Sequence, residues 1–216
     1  MPMRRLCFGG SFNPIHHAHL LCARAVAESA GFDRVVLIPS CQPPHKPLAN
    51  DIAPASHRLE MCQLAAGLQP DFFEVEDIEV RRAGSSYTID TARELKRRGW
   101  DQVPWLIGAD MLMYLPRWHE PQALLEEVRF VVMARPGSEI DWAQLPQSFQ
   151  ELRRNVVPSP LIDISATTIR RRVAEGKSIH FMTPLAVVDY IHKTRLYCNN
   201  TNEVAGTRQA SSHPIS

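Results

Sequence analysis

Three histidines, His16, His17 and His19, fall within four positions directly behind GGSFNP, residues 9 to 14. Imidazoles exchange hydrogen bonds and protons near neutral pH, and two of them at one end of a helix can stabilise charge developing on phosphate oxygens. Gly9 and Gly10 would let a ligand approach the backbone, and Pro14 ends the turn. A helix starting near His17 then aims its first N–H groups and its positive dipole end at an anion. His16 and His19, three apart, share one side of that helix start, while His17 should point elsewhere. The chemistry this permits is phosphoryl or nucleotidyl transfer. A plainer alternative is that His16 caps the helix and His19 is a satisfied core histidine. The glycine spacing decides nothing, since GGSFNP matches neither GxGxxG nor the GxxxxGK[ST] phosphate loop.

A second constellation is DISATTIRRRV, residues 163 to 173. Asp163 or Ser165 can cap a helix whose first turn presents Thr167, Thr168 and Arg170, hydroxyls and a guanidinium suited to phosphate oxygens. The alternative is a well-capped amphipathic helix with Arg171 and Arg172 on a solvated face.

These two stretches need a scaffold. Short apolar runs at 4–8, 34–39, 103–108 and 128–134 read as strands, and the stretches at 17–30, 56–68 and 88–98 carry apolar residues at helical spacing. Strands alternating with helices predict an α/β fold with a doubly wound parallel sheet, Rossmann-like, whose first strand-to-helix turn is a favoured phosphate site. The proline-rich segments CQPPHKP at 41–47 and VPSP at 157–160 read as loops beside that sheet. Residues 1–198 read as one domain, and the polar, aperiodic residues 199–216 as a disordered tail.

The 216 residues are 44 % hydrophobic and 22 % charged, with net charge +1, which fits a soluble domain and speaks against a nucleic-acid coat. The arginine clusters at 81–82, 96–98 and 153–154 lack interleaved aromatics and read as solvated faces, so no nucleic-acid partner is expected. The amino-terminal apolar run is too short for a signal peptide or membrane span, giving the expectation of a cytoplasmic protein with no membrane partner. Five scattered cysteines with no CxxC pair suggest neither disulfides nor zinc, and no metal-ligating cluster is evident.

GGSFNPIHHAH resembles the GGxFxPxHxGH signature of the nucleotidyltransferase superfamily related to class I aminoacyl-tRNA synthetases, and ISATTIRRR resembles its ISxTxIR element. PPHKP (43–47), GSSYTIDT (84–91), LIGAD (106–110) and the tryptophan of PRWHE (116–120) are similar to the bacterial nicotinate mononucleotide adenylyltransferases, over roughly residues 3–197. The resemblance implies adenylyl transfer from ATP to nicotinate mononucleotide, giving the deamido dinucleotide and pyrophosphate. It implies that His16 and His19 bind the ATP phosphates and stabilise the transition state, with Gly9, Gly10, Ser11 and Phe12 lining the nucleotide cleft. Lys46 would reach the phosphates with His45 beside it, and Ser165, Thr168 and Arg170 would hold the triphosphate from the other side. Gly108 and Asp110 would contact the adenosine portion, and Tyr87, Thr88 and a stacking Trp118 would form the pyridine pocket. Mg²⁺ is implied as an ion held mainly by the ATP phosphates and water. Two positions depart from the pattern: Ala18 stands for the glycine between the histidines and Asn13 for an aspartate. Phosphopantetheine adenylyltransferase and a non-catalytic nucleotide-binding module are the alternatives, and the oligomeric state is open.

Overall fold

Four stretches of chain, each apolar enough to be buried on both faces, make the centre of a parallel sheet. The computed structural model describes residues 3–43, 52–82, 84–137 and 139–198. The elements run β1 (Arg5–Gly10), α1 (His17–Ser29), β2 (Arg34–Pro39), α2 (Ala55–Ala66), β3 (Phe73–Val75), α3 (Ile78–Arg81), α4 (Thr88–Arg97), β4 (Pro104–Gly108), α5 (Ala109–Leu112), α6 (Pro121–Glu127), β5 (Arg129–Ala134), α7 (Gln147–Gln150), β6 (Val156–Pro158), α8 (Ala166–Ala174) and α9 (Leu185–Thr194). All neighbouring strands pair in parallel, in the order β3-β2-β1-β4-β5-β6. The order reverses between β1 and β4, and in such sheets a ligand binds beyond the carboxyl ends of the strands at that reversal.

Alternate residues of each strand serve opposite faces. Leu6, Phe8, Val35, Leu37, Leu106 and Val131 pack under α1, α2, α8 and α9. Cys7, Val36, Ile38, Trp105, Ile107 and Val132 pack under α4, α6 and α7 on the other side. The helices present matching stripes: Ile89, Ala92 and Leu95 on α4, Ile169 and Val173 on α8, and Val187, Val188 and Ile191 on α9 are buried. In α4, Asp90 in the first turn and Lys96 and Arg97 in the last also suit the helix dipole.

One expectation needs correcting. VPSP does not run as a loop throughout, because Val156, Val157 and Pro158 pair with Val132, Met133 and Ala134 as β6. The proline is tolerated because β6 is the edge strand, where its missing N–H deprives no neighbour of a ladder bond. The tail at 199–216 lies outside the described residues. Among the described residues, no helix is long and apolar enough to cross a membrane.

Candidate active site

Where β1 ends, the chain turns into α1 through Ser11–His16, and His16 becomes the helix N-cap. The His19 N–H donates to His16 Nδ1 at 3.4 Å, and the His16 N–H donates to His19 Nδ1 at 3.3 Å. This reciprocal box satisfies two N–H groups of the helix start and stacks the imidazoles at 3.6 Å between centroids, 20° apart. With both Nδ1 atoms accepting, a neutral ring carries its proton on Nε2. The capping reading of these histidines therefore holds, and it is compatible with the functional one.

His16 is 5 % exposed, and its pKa falls from 6.5 to about 4, first through burial and then through the charges of Arg135 and His17. It is therefore neutral at physiological pH. Burying it neutral also makes stability depend on pH. Between pH 6.5 and 4 the unfolded chain takes up a proton that the folded chain refuses, so stability falls as the pH is lowered through that window, by about 3 kcal/mol for this site. His16→Asn retains a capping acceptor but cannot titrate. Its melting temperature is expected to decline less steeply than the wild type's between pH 6.5 and 4, and equal slopes would show that this imidazole is not held neutral.

The histidine turn is pinned from distant parts of the chain. Thr183 Oγ1 donates to the Ile15 carbonyl at 2.8 Å, and the His17 N–H donates to the Met182 carbonyl at 3.0 Å, so the backbone on both sides of His16 is fixed. Asn13 is buried, and its Oδ1 accepts from the Ala53 N–H at 3.0 Å and the Tyr197 hydroxyl at 2.8 Å. A neutral amide serves both donors, which is what Asn13 does here in place of a carboxylate.

The start of α8 approaches the same turn. Arg170 Nη1 donates to the Asn13 carbonyl at 2.9 Å. Ser165 is the N-cap, accepting from the Thr168 N–H at 3.1 Å, with the two hydroxyls 2.9 Å apart. Between the two helices the structure thus gathers His16, His19, Ser165, Thr168 and Arg170. Arg135, just past β5, adds a charge felt by both His16 and Cys22.

Beside this turn, at the β1–β4 reversal, lies a cleft of about 580 Å³. Gly9, Gly10, Ser11, Tyr87, Thr88, Gly108 and Trp118 line it. Tyr87 stacks on His119 at 4.3 Å and 27°, and Trp118 meets Phe130 edge-on at 6.5 Å. Arg93 grips both carboxylate oxygens of Glu120 at 3.0 and 2.7 Å, tying α4 to the loop that carries Trp118 and His119.

Several residues do their work differently from expectation. The ring of Phe12 is 2 % exposed, sits edge-on to His19 at 5.2 Å and supports that imidazole from behind, so only its backbone is left to face the cleft. Gly9 is small because of Trp105, whose Cζ2 would lie 2.6 Å from an added Cβ, and Gly10 because of the Phe12 ring at 3.1 Å. Internal packing thus constrains both glycines, which also line the cleft. At Gly108 an added Cβ would strike the Asp110 carboxylate, which folds back over it. Gly108→Ala should therefore displace Asp110 and raise the KM for ATP about tenfold with little change in melting temperature; an unchanged KM would remove Asp110 from the adenosine contacts. His45 and Lys46 lie outside the described residues.

Glu79, Arg58, Arg135 and Thr183 belong to none of the sequence motifs singled out above. Glu79 lines the cleft yet is only 4 % exposed, and burial pushes its carboxyl pKa up, opposed by its hydrogen bond from Thr91 at 2.8 Å. Arg82 joins the same network, donating to Thr91 Oγ1 at 3.0 Å. A buried arginine or carboxyl inside a helical pattern is the one hint the sequence contains, and it becomes visible only once the helix faces are known.

Strand order, cleft position and the two helix starts define an α/β nucleotide-binding protein of the Rossmann-like class. The sequence model described as cytidylyltransferase-like matches residues 7–172. The chain is 43 % identical over 195 residues to a probable nicotinate-nucleotide adenylyltransferase of Thermomicrobium roseum, covering 88 % of this chain and 89 % of that protein. It is 41 % identical over 198 residues to one from Thermus thermophilus, covering 90 % of this chain and 100 % of that protein. The nicotinic acid mononucleotide adenylyltransferase of Plasmodium falciparum, solved in complex with NaAD, shares the fold with a TM-score of 0.69 at 18 % identity, over 90 % of this chain and 97 % of that one. The chain belongs to the cytidylyltransferase-like family and, within it, to the nicotinate-nucleotide adenylyltransferases.

Proposed function

We propose that this protein transfers the adenylyl group of ATP to nicotinate mononucleotide, releasing pyrophosphate, as a cytoplasmic enzyme. One observation carries the reading: a histidine pair and the Ser165–Arg170 helix start converge on one turn, immediately beside an aromatic-lipped cleft. The cleft would take the mononucleotide with its ring near Trp118 and Tyr87, and the turn would take the triphosphate.

The attacking oxygen belongs to a phosphate that is already an anion, so no general base is needed. That oxygen bonds to the α-phosphorus as the bond from the α-phosphorus to the bridging oxygen of pyrophosphate breaks. The Nε2–H groups of His16 and His19 donate to the phosphoryl oxygens as charge shifts toward the leaving group. Arg170, anchored on Asn13, and the hydroxyls of Ser165 and Thr168 hold the departing phosphates. Lys46 would add a cation from the chain between β2 and α2.

Among the described residues, no group of three or more His, Cys, Asp or Glu is placed to hold a metal ion. The donors gathered at the turn are N–H and O–H groups suited to phosphate. Such donors suit a Mg²⁺ ion that would arrive on the triphosphate, held mainly by phosphate oxygens and water. When bound, it would spread the negative charge of the phosphates that must approach one another.

The test is product identity. Incubation with Mg²⁺, ATP and nicotinate mononucleotide should yield equal amounts of pyrophosphate and a dinucleotide of the deamido mass. Pyrophosphate without the dinucleotide would mean that water, not the mononucleotide, is the acceptor.

A further inference from the structure

Among the described residues, the largest fully buried side chain is an arginine that the proposed reaction has not yet used. Arg58, in the first turn of α2, is 1 % exposed. Its Nε donates to the Ala53 carbonyl at 2.9 Å, Nη1 to the Ser11 carbonyl at 2.8 Å and Nη2 to the Cys41 carbonyl at 2.9 Å. These acceptors come from the β1–α1 turn, the end of β2 and the approach to α2. Among the described residues no carboxylate pairs with it, and its three hydrogen bonds there go to carbonyl dipoles. Burial lowers the pKa of the group, but a guanidinium stays protonated.

Burying a guanidinium is costly, and joining three loops would not by itself require one. The acceptors explain the choice. A peptide unit is planar and trans, so its C=O and the following N–H point opposite ways. Drawing the Ser11 carbonyl inward turns the Phe12 N–H away from Arg58, on a segment whose Ser11 lines the cleft. The Cys41 carbonyl is likewise withdrawn beside Ser40 and Pro43, which also line it. A rim that must accept a polyanion gains when carbonyl oxygens face inward, N–H groups face outward, and a positive charge stands behind them.

We propose that Arg58 is a positioning residue for the polyphosphate: braced on the Ala53 carbonyl, it draws the carbonyls of Ser11 and Cys41 away from the cleft rim and presents the Phe12 N–H to the anion. The inference rests on the adenylyl-transfer reading only for which polyphosphate is bound, and its test separates the two. Inorganic tripolyphosphate is the probe, with binding followed by calorimetry and by the Phe12 amide resonance of the ¹⁵N-labelled protein. In the wild type that resonance should shift on titration. Arg58→Lys, which keeps the charge and loses the fork, should bind tripolyphosphate about tenfold more weakly and raise the KM for ATP by a similar factor. An unmoved Phe12 resonance in the wild type overturns the proposal even if every Arg58 variant fails to fold. So does a folded Arg58→Lys protein with a lower melting temperature but tripolyphosphate affinity and KM within twofold of wild type, since Arg58 would then be only a staple. Tripolyphosphate binding with a shifted Phe12 resonance but no dinucleotide formed from ATP would keep this role for Arg58 and sink the reaction assigned above.

Discussion

His19→Ala is expected to lower kcat by about 10²–10³-fold, the usual loss when one preorganised donor to a developing oxyanion is removed. The fold should persist. His19 contributes half of the capping box through the hydrogen bond its Nδ1 accepts from the His16 N–H, so losing it should cost about 1 kcal/mol, or about 2–4 °C in a chain of this size. The contrast between a large kinetic and a small thermal effect is the point of the experiment. His19 is packed edge-on by Phe8 and Phe12, so the alanine variant loses some packing as well. Near-normal turnover with the melting temperature lowered as expected would leave His19 as a helix cap and nothing more.

Arg170→Ala should cost about a hundredfold in kcat/KM for ATP, because it removes a guanidinium from the triphosphate side and frees the Asn13 carbonyl that it holds at 2.9 Å. Arg170→Lys should recover only a small part of that loss, since an ammonium cannot grip a backbone carbonyl and a phosphate with one planar fork. Steady-state kinetics on both variants check this. If lysine restored wild-type kinetics, Arg170 would be acting as a point charge, and its anchoring on the histidine turn would be immaterial.

Those two residues were legible because each sits in a short local pattern. The histidines stand beside a turn-forming Asn-Pro, and Arg170 follows a Ser cap by five positions. The same locality made β1, β2, β4 and β5 readable, since central strands of a parallel sheet are buried on both faces and show as unbroken apolar runs. β3 and β6 have three residues each and lie at the sheet edges, and β6 ends in a proline, so neither leaves such a trace. The supporting residues of the site were invisible for a different reason. Arg58 reaches Ser11 across 47 positions and Thr183 reaches Ile15 across 168, distances at which only the folded chain defines neighbours. The packing of the Phe12 ring is equally illegible, because it depends on rings that come from β1 and α1.

The most direct test of the central claim is pyrophosphate release with Mg²⁺ and ATP, comparing nicotinate mononucleotide, nicotinamide mononucleotide and 4′-phosphopantetheine at equal concentration. Release chiefly with nicotinate mononucleotide is the predicted result. Preference for 4′-phosphopantetheine would contradict the assignment of Tyr87, Thr88 and Trp118 to a pyridine pocket, and silence with all three, in a protein that still binds ATP, would contradict catalysis itself.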